Sequence, residues 1–190
     1  MNRMYTNLLI CVLLLSAPGF AGGATAGRPK QDSSWKRYAN KDFGYCVDYP
    51  AKWARDNAFD GAGMYFETGL KKFSMPIGEM DVNASPSPEG LAETVDVHLQ
   101  GLRKFQRAQK MEVLDRREVI LLGAPALLTK DRYFDPLDGA KWVNEMLLTR
   151  HNKLLYRLEL VCRADHLDRF EAAFSRFVGT FKFDCNAKRR

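Results

Sequence analysis

The chain has 190 residues, 46% of them hydrophobic and 27% charged, with a formal net charge of +6. That length and balance fit one folded domain plus trimmed segments, and they exclude a disordered or fibrous chain. The basic residues are spread as Lys36-Arg37, Lys71-Lys72, Arg103-Lys104, Arg116-Arg117 and Lys188-Arg189-Arg190. Spread charge of this kind serves solubility and at most weak peripheral contact with a membrane surface; without a nucleic-acid motif it excludes nucleic-acid binding as the expected role.

Residues 1–26 read as a cleaved signal peptide. Arg3 supplies a positive start, Leu8-Leu9-Ile10-Cys11-Val12-Leu13-Leu14-Leu15 an apolar run, and Pro18 and Gly19 break it. Cleavage is expected after Ala26, with Ala21 as the second candidate. The apolar run falls short of the roughly 20 residues that a spanning helix needs. Export to a periplasmic or extracellular site follows, and losing Arg3 leaves a net charge of +5.

Segment 27–34 is a polar lead-in, 35–185 the globular domain and 186–190 a basic tail. Trp35–Tyr38 is expected to form a short edge strand. Phe43–Pro50 alternates, with Phe43, Tyr45, Val47 and Tyr49 on one face and Cys46 and Asp48 on the other, the period of a half-buried strand. Trp53 is a core anchor and Asp56–Gly63 reads as a turn. Met64–Thr68 is a short aromatic strand, and Lys71-Lys72 sits in a loop or tight turn. Ile77–Ala84 alternates again, with Met80, Val82 and Ala84 inward and Glu79, Asp81 and Asn83 outward.

Ser87 caps, and Pro88 opens, an amphipathic helix whose apolar stripe is Leu91, Val95, Leu99, Leu102 and Phe105, running to about Gln109. Met111–Leu121, Ala126–Tyr133, Lys141–Thr149 and Leu154–Cys162 follow as strands. Their connections are expected at Gly123-Ala124-Pro125, at Phe134–Gly139 and at His151-Asn152-Lys153. Short turns between successive strands argue antiparallel pairing. Asp165 is expected to cap a second helix with Leu167, Phe170, Phe174, Phe177 and Val178 inward and Gly179 at its end. Thr180–Phe183 is a terminal strand.

Three cysteines remain after cleavage: Cys46, Cys162 and Cys185. An exported chain keeps disulfides, and the favoured pair is Cys46–Cys185, which ties the first long strand to the last ordered residues. Cys162–Cys185 is the alternative pairing.

The pattern resembles the PsbP-like family, named after an extrinsic subunit of photosystem II. The resemblance rests on Tyr38 and Asn40 ahead of Gly44-Tyr45, Tyr49-Pro50 followed by Trp53, and Gly123 with Ala126. Leu154-Leu155-Tyr156 and Phe170…Phe174…Phe177…Thr180-Phe181 complete it. It implies a Mog1/PsbP-type α+β fold: a three-layer α/β/α sandwich around a mainly antiparallel sheet, in one domain. It implies no catalytic residues and no cofactor.

The residues themselves offer little chemistry. His98, His151 and His166 are scattered, no Gly-x-Ser-x-Gly elbow is present, and no cysteine pair has zinc spacing. Asp131, Asp135 and Asp138 cluster near a hairpin tip but do not follow a calcium-loop pattern. Arg103, Arg107 and Lys110 lie on one side of the first helix as a candidate partner-binding basic face. The expected function is an exported, non-enzymatic domain that binds or helps assemble an envelope-associated protein. A small-ligand or lipid carrier, with a cleft between sheet and helix, is the alternative. An enzyme would need perturbed acids and bases gathered in one pocket.

Overall fold

A computed structural model describes residues 34–58, 61–72, 75–105 and 108–185. The signal segment, the first seven lead-in residues and the basic tail 186–190 lie outside them. Strands β1 (Trp35–Asn40), β2 (Tyr45–Pro50) and β12 (Lys182–Phe183) form a small sheet in the order β1-β2-β12. The large sheet joins β3 (Ala54–Ala58), β4 (Gly63–Glu67), β7 (Gly78–Pro86), β11 (Leu154–Arg163), β10 (Ala140–His151), β9 (Ala124–Asp135) and β8 (Gln109–Leu121), neighbours in that order. A two-stranded ribbon pairs β5 (Lys71–Lys72) with β6 (Met75–Pro76). Every pairing among the described strands is antiparallel.

Helices α1 (Leu91–Phe105) and α2 (Leu167–Thr180) cover opposite faces of the large sheet. Strand side chains alternate between faces, so β10 and β11 feed two cores at once. Val143, Leu147, Tyr156, Leu158, Leu160 and Cys162 face α2 and the small sheet, where Phe170, Phe174 and Phe177 are buried. Trp142, Met146, Leu148 and Leu155 face α1, packing on Val95, Leu99 and Leu102. The result is a single-domain α+β sandwich of three layers: α1, the large sheet, then α2 with the small sheet.

Local rules account for most boundaries. Leu122 and Gly123 both have positive φ, as do Asn152 and Lys153; two-residue hairpins of the I′ type require this. The first of these turns therefore sits one residue earlier than expected, and Pro125 lies inside β9, opposite Ile120. Gly78 is needed for space: a Cβ there would come within 2.8 Å of the Phe170 ring.

Four local expectations are corrected. Asp56–Gly63 is not simply a turn, because Ala54–Ala58 is an edge strand; Ala54–Asn57 are exposed, so no apolar alternation marks it. Helix α1 starts at Leu91, with Gly90 C=O accepting from Thr94 N, while Ser87 Oγ accepts from Glu89 N in the turn before it. Asp165 does not cap α2; a 3-10 turn (Ala164–His166) precedes it, and Asp165 sits 3.4 Å from Arg163 Nε. Gly179 does not end α2, which continues to Thr180.

Cys46 and Cys185 form a disulfide with their Cα atoms 5.8 Å apart, while Cys162 is a buried free thiol. Just beside the bridge, Tyr45, Tyr156, Phe181 and Phe183 pack edge-on or tilted with ring centroids 5.1–6.0 Å apart.

Candidate functional site

The face of β7 that the alternation points outward is not solvent. Helix α1 lies across it, and between the helix and the sheet is a cavity of about 250 Å³. Its lining includes Tyr65, Glu79, Asp81, His98, Tyr133, Asn144, Arg157 and Glu159. Adjacent strands assemble it by register: Tyr65 faces Asp81, Asp81 faces Glu159, and Asn144 faces Asp131. These residues are far apart in sequence and meet only because β4, β7, β11, β10 and β9 are neighbours.

Asp81 and Glu159 are buried, and Arg157 bridges them, with Nη2 3.5 Å from Asp81 Oδ1 and Nε 3.2 Å from Glu159 Oε2. With its amide oxygen turned toward Arg157, Asn83 lies 3.1 Å from Nη2. Asn144 Nδ2 donates to Asp131 Oδ1 (3.3 Å) and faces His98 Nε2 at 2.9 Å. So arranged, His98 Nε2 accepts and the ring is neutral, with Glu159 Oε1 3.4 Å away. Asp131 Oδ2 and Asn144 Oδ1 are buried without a protein partner.

Burial disfavours each charged form here. It pushes Glu79 up to about 7, with Glu159 and Glu67 adding repulsion. Burial and Glu159 push Asp131 up to about 7, against the Asn144 hydrogen bond and Arg103. Burial also holds Asp81 well above the carboxylate range, although Arg157 opposes it. Burial lowers His98, Glu159 opposing and Arg157 assisting. For Arg157, burial works against the charge, but Glu159 and Asp81 outweigh it and keep its pKa above the usual value.

A pH dependence follows. Unfolded carboxylates ionise near pH 4, whereas folded Glu79 and Asp131 keep their protons to about 7. The folded state therefore binds more protons between those limits, and stability falls as pH rises through the window. His98 acts in reverse, since its lowered pKa removes stability as pH drops below about 6.5. Three carboxylates outweigh one imidazole, so Tm should rise by a few degrees from pH 8 to pH 6. Glu79→Gln should flatten part of that rise in a calorimetric pH series; a Tm that falls on acidification contradicts it.

A second feature lies at the end of the large sheet. Edge strand β8 leaves Ile120 73% and the following Leu122 56% exposed. Two apolar grooves flank the same stretch, one per sheet face. The groove toward α1, about 380 Å³, includes Leu91, Val119, Ile120 and Leu127. The groove toward α2, about 290 Å³, includes Ile120, Leu121, Leu147, Phe174 and Val178. The first half of β8 is interrupted by register shifts at Gln109/Glu112 and Val113/Asp115, whereas Asp115–Leu121 pairs regularly with β9.

The other singled-out residues are dispersed. Arg103 is exposed on α1, Arg107 lies outside the described residues, and Lys110 belongs to β8 because α1 ends at Phe105. Arg103 and Lys110 therefore share no helix face. His151 stacks on Phe183 at 4.2 Å with Nε2 3.2 Å from Asp184, and His166 precedes α2. Asp131 lies under α1, Asp135 accepts from Leu137 N, and Asp138 binds Arg163 and Trp142 Nε1. The hairpin aspartates thus serve separate tasks. Cys162 is buried on the α2 face, and burial pushes its thiol up to about 12.

No protein-family model and no curated protein matches the chain. Solved structures do. Cyanobacterial PsbP (CyanoP) from Synechocystis sp. PCC 6803 aligns with a TM-score of 0.57 at 17% identity, over 87% of this chain and 98% of that one. The Ran-binding protein Mog1p of Saccharomyces cerevisiae gives 0.56 at 10% identity, over 80% and 97%. This chain has the PsbP/Mog1-type fold. LpqN of Mycobacterium tuberculosis, involved in cell envelope biogenesis, shares it with a TM-score of 0.54 at 12% identity, over 78% and 89%. At these identities the likeness is one of fold, and the function of a PsbP/Mog1-type domain has to be argued from its own surfaces.

Proposed function

We propose that the chain is an exported, non-enzymatic binding domain that docks an extended segment of an envelope-associated partner protein along β8. The observation that carries this reading is an open, regular strand edge with an apolar groove on each face. A strand added to β8 would send alternate side chains to opposite faces, one set toward each groove. Strand addition works in this way, main-chain bonds giving affinity and alternate pockets giving specificity. Leu122 supports the reading, because a leucine in the left-handed region costs about 1–2 kcal/mol and here also exposes apolar surface.

Export is supported by the signal-like N-terminus and by the Cys46–Cys185 bridge, which persists in oxidising compartments. The same fold serves a Ran-binding protein and a protein of cell envelope biogenesis, so protein binding is within its known uses. Binding is favoured over catalysis although the cavity under α1 gathers perturbed acids with a histidine. No activated nucleophile joins them, since Cys162 is a buried thiol on the other sheet face.

A photoreactive residue substituted for Ile120, in the full chain expressed in its own host, should give one discrete adduct with another protein. The same residue at Asn57 on the opposite edge should not, and Leu122→Lys should abolish the Ile120 adduct. No adduct, equal adducts from both edges, or an adduct only with a second copy of this chain would overturn the proposal. The cavity under α1 favours a second reading, small-ligand binding, although its charged lining argues against a lipid chain.

A further inference from the structure

The cavity under α1 is closed by His98 and Leu102 and floored by side chains of the large sheet. Glu79, Asp81 and Glu159 line it, and the cation among the lining residues is Arg157. Arg157 is already engaged by Asp81 and Glu159, so it is not available to an anionic ligand. His98, facing the Asn144 amino group, adds no positive charge. The ionised cavity is therefore net negative.

A second observation is independent of that charge. Asn144 is 1% exposed and lines the cavity, yet its Oδ1 has no partner in the protein. Directly behind it, Asp131 is 0% exposed and its Oδ2 is equally unpartnered. A buried acceptor left unpaired costs about 1–3 kcal/mol, so Asn144 Oδ1, the one of the two that belongs to the cavity lining, calls for a donor from outside the chain.

We propose that this cavity binds a small organic cation, whose ammonium or guanidinium N–H groups donate to Asn144 Oδ1 and to the carboxylates of Glu79, Asp81 and Glu159. The lining discriminates among ligand classes. An anion would meet three carboxylates. Among the described residues no group of three or more histidine, cysteine or acidic side chains is set to hold a metal ion. At about 250 Å³ the space is just below the ~300–1,000 Å³ usual for drug-sized ligands, which favours a compact molecule. A donor-rich cation supplies both what the acceptors lack and the missing positive charge. This site is separate from the β8 edge, so either can fail without the other.

The test is calorimetric titration of the full folded chain with putrescine and with agmatine, at constant ionic strength and pH 8, with glutamate as the anionic control. Saturable one-site binding of at least one of the two cations is expected, with no heat from glutamate. The diamine and the guanidinium compound distinguish which head group the site prefers. Glu79→Gln removes a partly exposed carboxylate and should weaken binding about tenfold or more while the circular dichroism spectrum is unchanged. Glu118→Gln on β8 should leave affinity unaltered. If neither cation saturates, the cavity holds only water and the proposal is wrong. It is equally wrong if sodium chloride competes as well as either cation, or if Glu79→Gln binds like the parent.

Discussion

Arg157→Met should lower the unfolding free energy by about 3–5 kcal/mol at pH 8, the cost of leaving a buried ion pair without one partner. Asp81 and Glu159 are 3% and 4% exposed, and both depend on this guanidinium for compensation. Removing it leaves two carboxylates opposite each other in the β7–β11 register. Part of the penalty should disappear by pH 5, because a carboxyl whose pKa is already raised takes up a proton and sheds its charge. Urea unfolding at the two pH values measures this. The triple variant Arg157→Met, Asp81→Asn, Glu159→Gln should recover much of the loss, since it removes the charges together. A loss at pH 8 below about 1 kcal/mol would show that the cluster is solvated rather than buried.

Opening the Cys46–Cys185 bridge should have an effect of similar size. The bond closes a loop of 139 residue steps, for which the chain-entropy relation gives about 4–5 kcal/mol. The structural reason that it matters is the brevity of β12. Only Lys182 and Phe183 pair with β2, opposite Cys46 and Tyr45. Without the covalent tie, the segment around Phe183 is held by those two rungs, the Cys185 N–H donating to Gly44 C=O, the His151–Asp184 contact and ring packing on Phe181, Tyr156 and His151. Cys185→Ser should therefore lower the denaturant midpoint strongly, and full reduction of the parent protein should reproduce it. A midpoint unmoved by either treatment would mean that the bond does not form in solution. Leaving Cys162 in place does not confound the comparison, because it lies buried in the core between β11 and α2.

The two features with functional content differ in how visible they were beforehand. The exposed Ile120 of β8 and Leu122 just after it stand in the sequence within Val119-Ile120-Leu121-Leu122, a run that read alone looks like core. Only strand order places β8 at the end of the sheet, where no described strand pairs with its outer side. The cavity was hidden for the opposite reason. Glu79 and Asp81 alternate with Met80 and Val82, and polar alternation ordinarily means solvent. It does not do so under a helix. The signal that could have exposed the site is Arg157-Leu158-Glu159 inside the otherwise apolar Leu154–Cys162 run. Two charges in a central strand need partners, and β7, read as its outward-facing acidic strand, offered them.

By itself the sequence determined the local elements. The 3.6-residue stripe of α2 and the two-residue period of β2 place Phe170, Phe174, Phe177, Tyr45 and Val47 inside, because periodicity is a property of backbone geometry that neighbours cannot change. It also favoured Cys46 with Cys185, the bridge the structure contains. Tertiary structure alone decided which face of each strand is truly solvent and which strand ends the sheet. Both depend on long-range pairing and on where α1 lands, and no local pattern encodes either. Hence α1, an ordinary amphipathic helix in sequence, is what turns an outward acidic row into a buried, charged cavity.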